Sequence, residues 1–158
     1  MNFSVRVARR EDVPSLEHLI DQIVAFHHRE APTHFKDPGR LSSAGYLEER
    51  LADPDSVVLI AERNHSHVGV AVAVIREVPP ILRPSRVVLV ENLAVDDKFR
   101  RTGVGRKLIE AALVWARAQD VTELDINVYE FNVDAIRFYE ALGFETVSRR
   151  MRRPTGLA

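Results

Sequence analysis

Two runs rich in β-branched residues, Ser56 to Ala61 and Val68 to Ile75, stand with only the polar stretch Glu62 to His67 between them. A connection of that length holds no crossover helix, so the pair reads as an antiparallel hairpin. A third run, Arg86 to Val95, follows the proline-rich break at Pro79, Pro80 and Pro84, and the three together suggest an antiparallel meander. Upstream, Phe3 to Ala8 alternates Phe3, Val5 and Val7 with Ser4 and Arg6, the period of a half-buried strand.

Helical periods surround the meander. Asp12 reads as an N-cap with Pro14 in the first turn, and Leu16, Leu19, Ile20, Ile23, Val24 and His27 repeat on one buried face. Glu30 to Gly39, with Pro32 and Pro38, is an irregular loop before a weaker helix carrying Ala44, Leu47 and Leu51, which Asp53 and Pro54 end. From Val104, the stripe Leu108, Ala111, Ala112, Trp115 and Ala118 predicts a helix of about 25 Å ending near Asp120. Leu124, Ile126 and Val128 alternate as a strand, and Ala135, Phe138, Tyr139 and Leu142 mark another helix, stopped by Gly143 with Phe144 packing back. A last strand is expected from Phe144 to Met151, before a frayed basic tail at Arg152 to Ala158.

The 158 residues fit a single domain. Lysine and arginine total 22 against 23 acidic residues, which gives no general reason for a nucleic-acid or anionic-membrane partner. There is no cysteine, which excludes disulfides, thiolate zinc sites and a cysteine nucleophile. Met1 to Arg10 lacks an apolar stretch behind its arginines, and the longest apolar run, Val68 to Ile75, is too short to span a bilayer, so a cytoplasmic location is expected.

The strongest chemical signal is Arg100, Arg101, Thr102, Gly103, Val104, Gly105, Arg106, set between a buried strand and a long amphipathic helix. Two glycines let backbone N–H groups turn toward one point, and the helix start adds its positive dipole end, which suits a phosphate or pyrophosphate. The alternative is an ordinary solvated turn. A P-loop would need Lys and then Ser or Thr after its last glycine, whereas Gly105 is followed by Arg106, Lys107 and Leu108. A dinucleotide fingerprint would need a third glycine where Leu108 stands, although Asp125 lies at a tolerable distance for its acidic partner.

Here the sequence resembles the GNAT N-acetyltransferase superfamily over most of its length. The family's pyrophosphate pattern, Gln or Arg, two residues, Gly, any residue, then Gly or Ala, matches Arg100, Gly103 and Gly105. Asn132 and Tyr139 match the family's pantetheine-contacting Asn and thioester-facing Tyr, and the run Phe138 to Phe144 is typical of it. The resemblance implies an α/β (α+β) GNAT fold, a mixed and mostly antiparallel sheet of six to seven strands flanked by about four helices. It implies acetyl-CoA as donor, bound by backbone at Leu93, Ala94 and Val95, by the pyrophosphate loop from Arg100 to Arg106, and by Asn132 and Tyr139. It also implies transfer to a small-molecule or peptide amine by direct attack in a ternary complex. A catalytically idle acyl-CoA-binding module and a nucleotide-binding protein stay open, as does the oligomeric state, homodimers being frequent in the family.

Glu91 and Tyr139 are the catalytic candidates. Glu91 shares a strand face with Leu89, Leu93 and Val95, where a carboxylate raised in pKa by burial would take the acceptor's proton; the plain alternative is a Glu paired with an arginine or exposed beside a bulge. Asn92, on the opposite face, has no assigned role. Tyr139 would donate a hydrogen bond to the leaving thiolate, or else pack as core with Phe138 and Leu142. Asn132 also reads as an N-cap. The histidines show no metal-ligand spacing, so no metal is expected; His27, His28, His34 and Phe35 are candidates for an acceptor pocket shaped by the first helices and their loop.

Overall fold

Five strands form one sheet in sequence order. In the computed structural model, which describes residues 3–39 and 42–157, β1 (Ser4–Val7), β2 (Ser56–Arg63), β3 (Ser66–Glu77) and β4 (Arg86–Val95) pair antiparallel. β5 (Leu124–Ile126) joins β4 in parallel, because α3 (Val104–Ala118) crosses over between them. The remaining helices are α1 (Val13–Glu30), α2 (Ala44–Ala52) and α4 (Val133–Glu140). Among the described residues, no helix is long and apolar enough to cross a membrane.

The expected six to seven strands are corrected to five. The segment from Phe144 to Met151 forms no strand; Val147 and Met151 there are 88% and 87% exposed, and its apolar residues, three and four positions apart, give no single strand face to bury. The hairpin turn is also tighter than the polar stretch suggests. β2 and β3 extend to Arg63 and Ser66, leaving Asn64 and His65 at φ 49° and 62°, the double left-handed geometry that continues a strand's twist through a two-residue turn.

The chain divides into two units, Met1–Asn127 and Val128–Ala158. In the first, Val58, Ile60, Val70, Val72 and Ala94 pack with Leu16, Leu19 and Ile20 of α1 and Leu47 of α2. Toward α3, Gly69 sits so close that a Cβ would lie 2.8 Å from Val104 Cγ1 and 3.1 Å from both Ala94 O and Leu108 Cδ1. Gly69→Ala is therefore expected to cost about 1.5 kcal/mol by overpacking. An unchanged urea midpoint would show that the start of α3 moves aside freely.

Asp12 occupies the N-cap position of α1, but its side chain does not cap that helix. Its carboxylate accepts both Arg6 guanidinium nitrogens at 2.8 Å and the Arg9 amide at 2.7 Å, while Arg6 also reaches Glu62 at 2.7 Å. The Arg6 hydrogen bonds hold the Asp12 carboxyl down at about 2, against 3.8 unperturbed, despite its burial. A carboxyl lowered on folding stabilises above its unfolded pKa, and that stability drains as pH falls through the folded value. Asp12→Asn is thus expected to cost about 2 kcal/mol at neutral pH. It should also flatten the loss of stability between pH 3.8 and about 2, as followed by denaturation at each pH.

In the second unit, Asn132 caps α4 by accepting the Ala135 amide at 3.2 Å. Gly143, at φ 89°, ends the turn beyond it, where the Phe144 amide returns to Tyr139 O at 3.1 Å. Residues 152–157 are exposed.

Candidate active site

β4 is interrupted where its chemistry begins. Its register with β3 runs from Gly69↔Val95 through Val72↔Asn92 and then steps to Ala73↔Val90, leaving Glu91 as an extra, bulged residue. Strict alternation would hold Glu91 and Asn92 on opposite faces; the bulge brings both to Tyr46 of α2, which corrects the expectation for Asn92. The Tyr46 hydroxyl donates to Glu91 Oε2 at 2.8 Å and accepts from Asn92 Nδ2 at 2.7 Å. Arg50 Nε donates to the same Glu91 oxygen at 2.8 Å, and Arg76 Nη2 donates to Oε1 at 2.7 Å.

This saturation reverses the expected pKa. Burial pushes the Glu91 carboxyl up, but the Tyr46, Arg50 and Arg76 donors together outweigh it and leave the carboxyl below its ordinary 4.5. Glu91 is therefore an arginine-paired carboxylate. The Tyr46 hydroxyl moves the other way, raised by burial and by the adjoining carboxylate.

The same bulge marks the end of the β4–β5 ladder, which covers only Val88↔Leu124, Leu89↔Asp125 and Val90↔Ile126. Leu93, Ala94 and Val95 continue along β3 on one side and, among the described residues, meet no strand on the other. Backbone groups on such an edge can be paired by an extended, amide-bearing ligand.

Beyond Val95 the chain turns through a short 3-10 segment, Asp97–Phe99, into the glycine loop. Arg101 and Gly103 take φ of 61° and 93°, and Gly103 is the N-cap of α3. A non-glycine residue at φ 93° would be strained, so the glycine is a backbone requirement. Thr102 Oγ1 ties the loop to Phe99 O at 2.6 Å, and buried Val104 and Leu108 anchor the helix that follows. Its hydrogen-bond ladder opens with the Lys107 amide on Gly103 O at 3.1 Å, so the amides of Val104, Gly105 and Arg106 precede the first rung. Arg101 and Arg106 are exposed beside them, while Arg100 pairs with Asp97 at 2.7 Å and reaches Val95 O at 3.4 Å. An uncapped first turn flanked by cations offers amides and positive charge that an anion can use.

A cleft of about 450 Å³ opens between α1, the loop after it, α2 and the bulge. Ile20, Asp21 and Val24 line it from α1 and Pro38 from the loop, and Ser42, Ser43, Tyr46 and Asn92 supply neutral polar groups. The four residues suggested for an acceptor pocket are not among its lining residues. His27 instead stacks on Phe35 at 5.0 Å, burial lowering its pKa, and His28 Nδ1 lies 2.9 Å from Phe35 O.

In the second unit, Tyr139 is half-buried on α4, edge-on to Phe144 with ring centroids 5.5 Å apart. Burial raises its hydroxyl to about 12, so it stays a protonated donor throughout the physiological range.

The model of the acetyltransferase (GNAT) family matches residues 20–144. The chain belongs to this family. Among curated GNAT relatives, the ribosomal protein bS18 alanine N-acetyltransferase of Salmonella typhimurium is 42% identical over 65 residues, 40% of this chain and 44% of that enzyme. The chain thus matches less than half the length of that relative. The BH1408 protein of Bacillus halodurans, solved as a tetramutant, superposes with a TM-score of 0.88 at 25% identity, over 96% of this chain and 99% of that one. An aminoglycoside N-acetyltransferase, AAC(6')-Iy, solved with CoA, superposes with a TM-score of 0.76 at 22% identity, over 98% and 100% of the two chains, a likeness of fold.

For a GNAT chain, the glycine loop and the β4 edge were both legible as candidates from sequence. Tyr46 and Asn92 were not. Tyr46 stands one residue before the buried Leu47 and four before Arg50, so only a polar-tipped aromatic flanking an apolar stripe could have signalled it. Asn92 comes into play only through a bulge, which no periodicity announces.

Proposed function

We propose that this protein is an acetyl-CoA-dependent N-acetyltransferase, moving the acetyl group to a primary amine by direct attack in a ternary complex. The observation that carries the reading is the end of the β4–β5 ladder at Val90, followed along the chain by the Gly103-capped start of α3. One feature offers unpaired strand edge to an amide-rich arm, and the other offers helix-start amides to a diphosphate. The backbone of Leu93, Ala94 and Val95 would take the pantetheine, and Arg100, Arg101, Thr102, Gly103, Val104, Gly105 and Arg106 the pyrophosphate. Asn132 is assigned a pantetheine contact in addition to its capping bond. A fold relative solved with CoA supports this choice of donor.

In the reaction, the amine nitrogen forms a bond to the thioester carbonyl carbon, the C–S bond breaks, and its electron pair goes to sulfur. Tyr139 is assigned to that sulfur as a hydrogen-bond donor. Full proton transfer from a hydroxyl at about 12 to a thiolate of pKa about 8.5 would be uphill by about 5 kcal/mol, so donation without transfer is its role. Glu91, held below its ordinary range by the Tyr46, Arg50 and Arg76 donors, is a weaker base toward an ammonium than an unpaired carboxylate would be. The acceptor therefore loses its proton to solvent, and Glu91 serves to hold Tyr46 and Asn92 at the cleft. The chain has no cysteine to carry a thioester intermediate.

A free-thiol release assay with acetyl-CoA across a panel of primary amines tests the reading, and turnover with at least one class is expected. Tight acetyl-CoA binding with no turnover would leave a catalytically idle binding module. Better heat protection by ATP or NAD than by CoA would overturn both.

A further inference from the structure

The cleft beside Tyr46 contains a half-buried carboxylate with no protein partner among the described residues. Asp21 lines it from α1, and among the described residues Asp21 makes no hydrogen bond or ion pair. The contrast with its neighbours is sharp, since Glu91 holds three donors and Asp12 and Glu62 share Arg6. No cationic side chain stands among the described lining residues; Ile20, Val24, Ala25 and Pro38 supply hydrocarbon, and Ser42 and Ser43, whose hydroxyls donate to Glu17, line the same cleft. Tyr46 and Asn92 sit at the β4 end, one residue before the Leu93 edge.

Resting on the acetyltransferase reading, we propose that the acceptor is a diamine with a hydrocarbon body, bound with one ammonium on Asp21 while the other amine, as the free base, is directed toward Tyr46 and Asn92. Three physical consequences separate this class from other amines. A monoamine of the same length leaves Asp21 without a counter-charge. An amino acid brings a carboxylate toward an uncompensated one, which costs rather than gains. A polyhydroxylated amino sugar presents hydroxyls to a lining of hydrocarbon side chains and two serines whose hydroxyls already donate to Glu17, and each hydroxyl left unpaired carries a desolvation penalty. Asp21 is then a specificity residue, separate from the bond-making step.

Diaminopentane, pentylamine and aminopentanoate, used as probes with the 158-residue chain and its Asp21→Asn and Asp21→Glu variants, test the assignment. Calorimetry in saturating CoA reads binding, and thiol release from acetyl-CoA reads transfer. Diaminopentane is expected to bind about tenfold more tightly than pentylamine, the worth of one charge-assisted contact. The preference should vanish in Asp21→Asn, return largely in Asp21→Glu, and appear in KM with kcat nearly unchanged. Unaltered affinity for CoA checks that the variants are folded. Equal binding of the two amines by the wild type, or a diamine preference that survives Asp21→Asn, would overturn the inference even where transfer proceeds. An Asp21-dependent diamine preference without thiol release would uphold the diamine site at Asp21 and sink the acetyltransferase reading, and with it the diamine's role as acceptor.

Discussion

Tyr139→Phe is expected to lower kcat by about a hundredfold or more while changing acetyl-CoA affinity by less than about twofold. The asymmetry follows from what the hydroxyl does. In the ground state the thioester sulfur is a poor acceptor, so a donor aimed at it contributes little to binding; as the C–S bond breaks, negative charge grows there and the same donor becomes stabilising. With the hydroxyl at about 12, the effect should persist across the whole activity range, and the pH–rate profile of the variant should be displaced downward without changing shape. Phenylalanine keeps the edge-on packing with Phe144, so α4 itself is preserved. Steady-state kinetics beside direct coenzyme binding decides the matter, and an unchanged kcat would reduce Tyr139 to a packing residue.

Glu91→Gln is expected to act on stability rather than on proton transfer. Arg50 and Glu91 are 13% and 15% exposed at the side chain, so an amide at this position leaves a largely buried guanidinium with only the longer contacts to Glu49 at 3.4 Å and Asp53 at 3.6 Å, at a cost of about 2 kcal/mol. The pH dependence supplies the sign. Because folding lowers the Glu91 carboxyl below 4.5, its contribution is complete above that value and disappears as pH falls through the folded pKa. Denaturant unfolding at neutral pH should therefore separate the variant from wild type, and the gap should close in acid. The acidic limb of the kcat/KM profile should stay in place. Its loss in the variant would restore Glu91 as general base and refute the clamp role given to it here.

The contrast between these two residues shows what a sequence can carry. Helix faces were legible because burial repeats along the chain: Leu16, Leu19 and Ile20 are buried as their spacing requires, and so are Leu108 and Ala112, whereas the expected Ala118 is exposed and Ala116 is buried in its place. The start of α3 was legible because Gly103 performs a backbone task that few other residues can. The terminal strand expected from Phe144 to Met151 failed because Phe144, Val147 and Met151 do not alternate and nothing local in the chain supplies a partner edge. Glu91 was found as an anomaly on an apolar strand, yet its protonation behaviour depends on Tyr46, Arg50 and Arg76, which lie 45, 41 and 15 residues away. Long-range pairing of that kind leaves no local trace. The same holds for Asp21, whose interest lies in the absence of partners that only three dimensions can establish.

The irregularity at Glu91 also has a bearing on how such a strand tolerates change. If that one residue were missing, Val90 opposite Ala73 and Asn92 opposite Val72 would already be consecutive rungs, and every other side chain of β4 would keep its present side. Most single-residue deletions in a sheet invert everything downstream; this one would leave a smoother ribbon with its hydrophobic interior intact. What it would take away is the anchor that gathers Tyr46, Arg50 and Arg76. Here the chain can lose a feature of its chemistry while retaining its architecture.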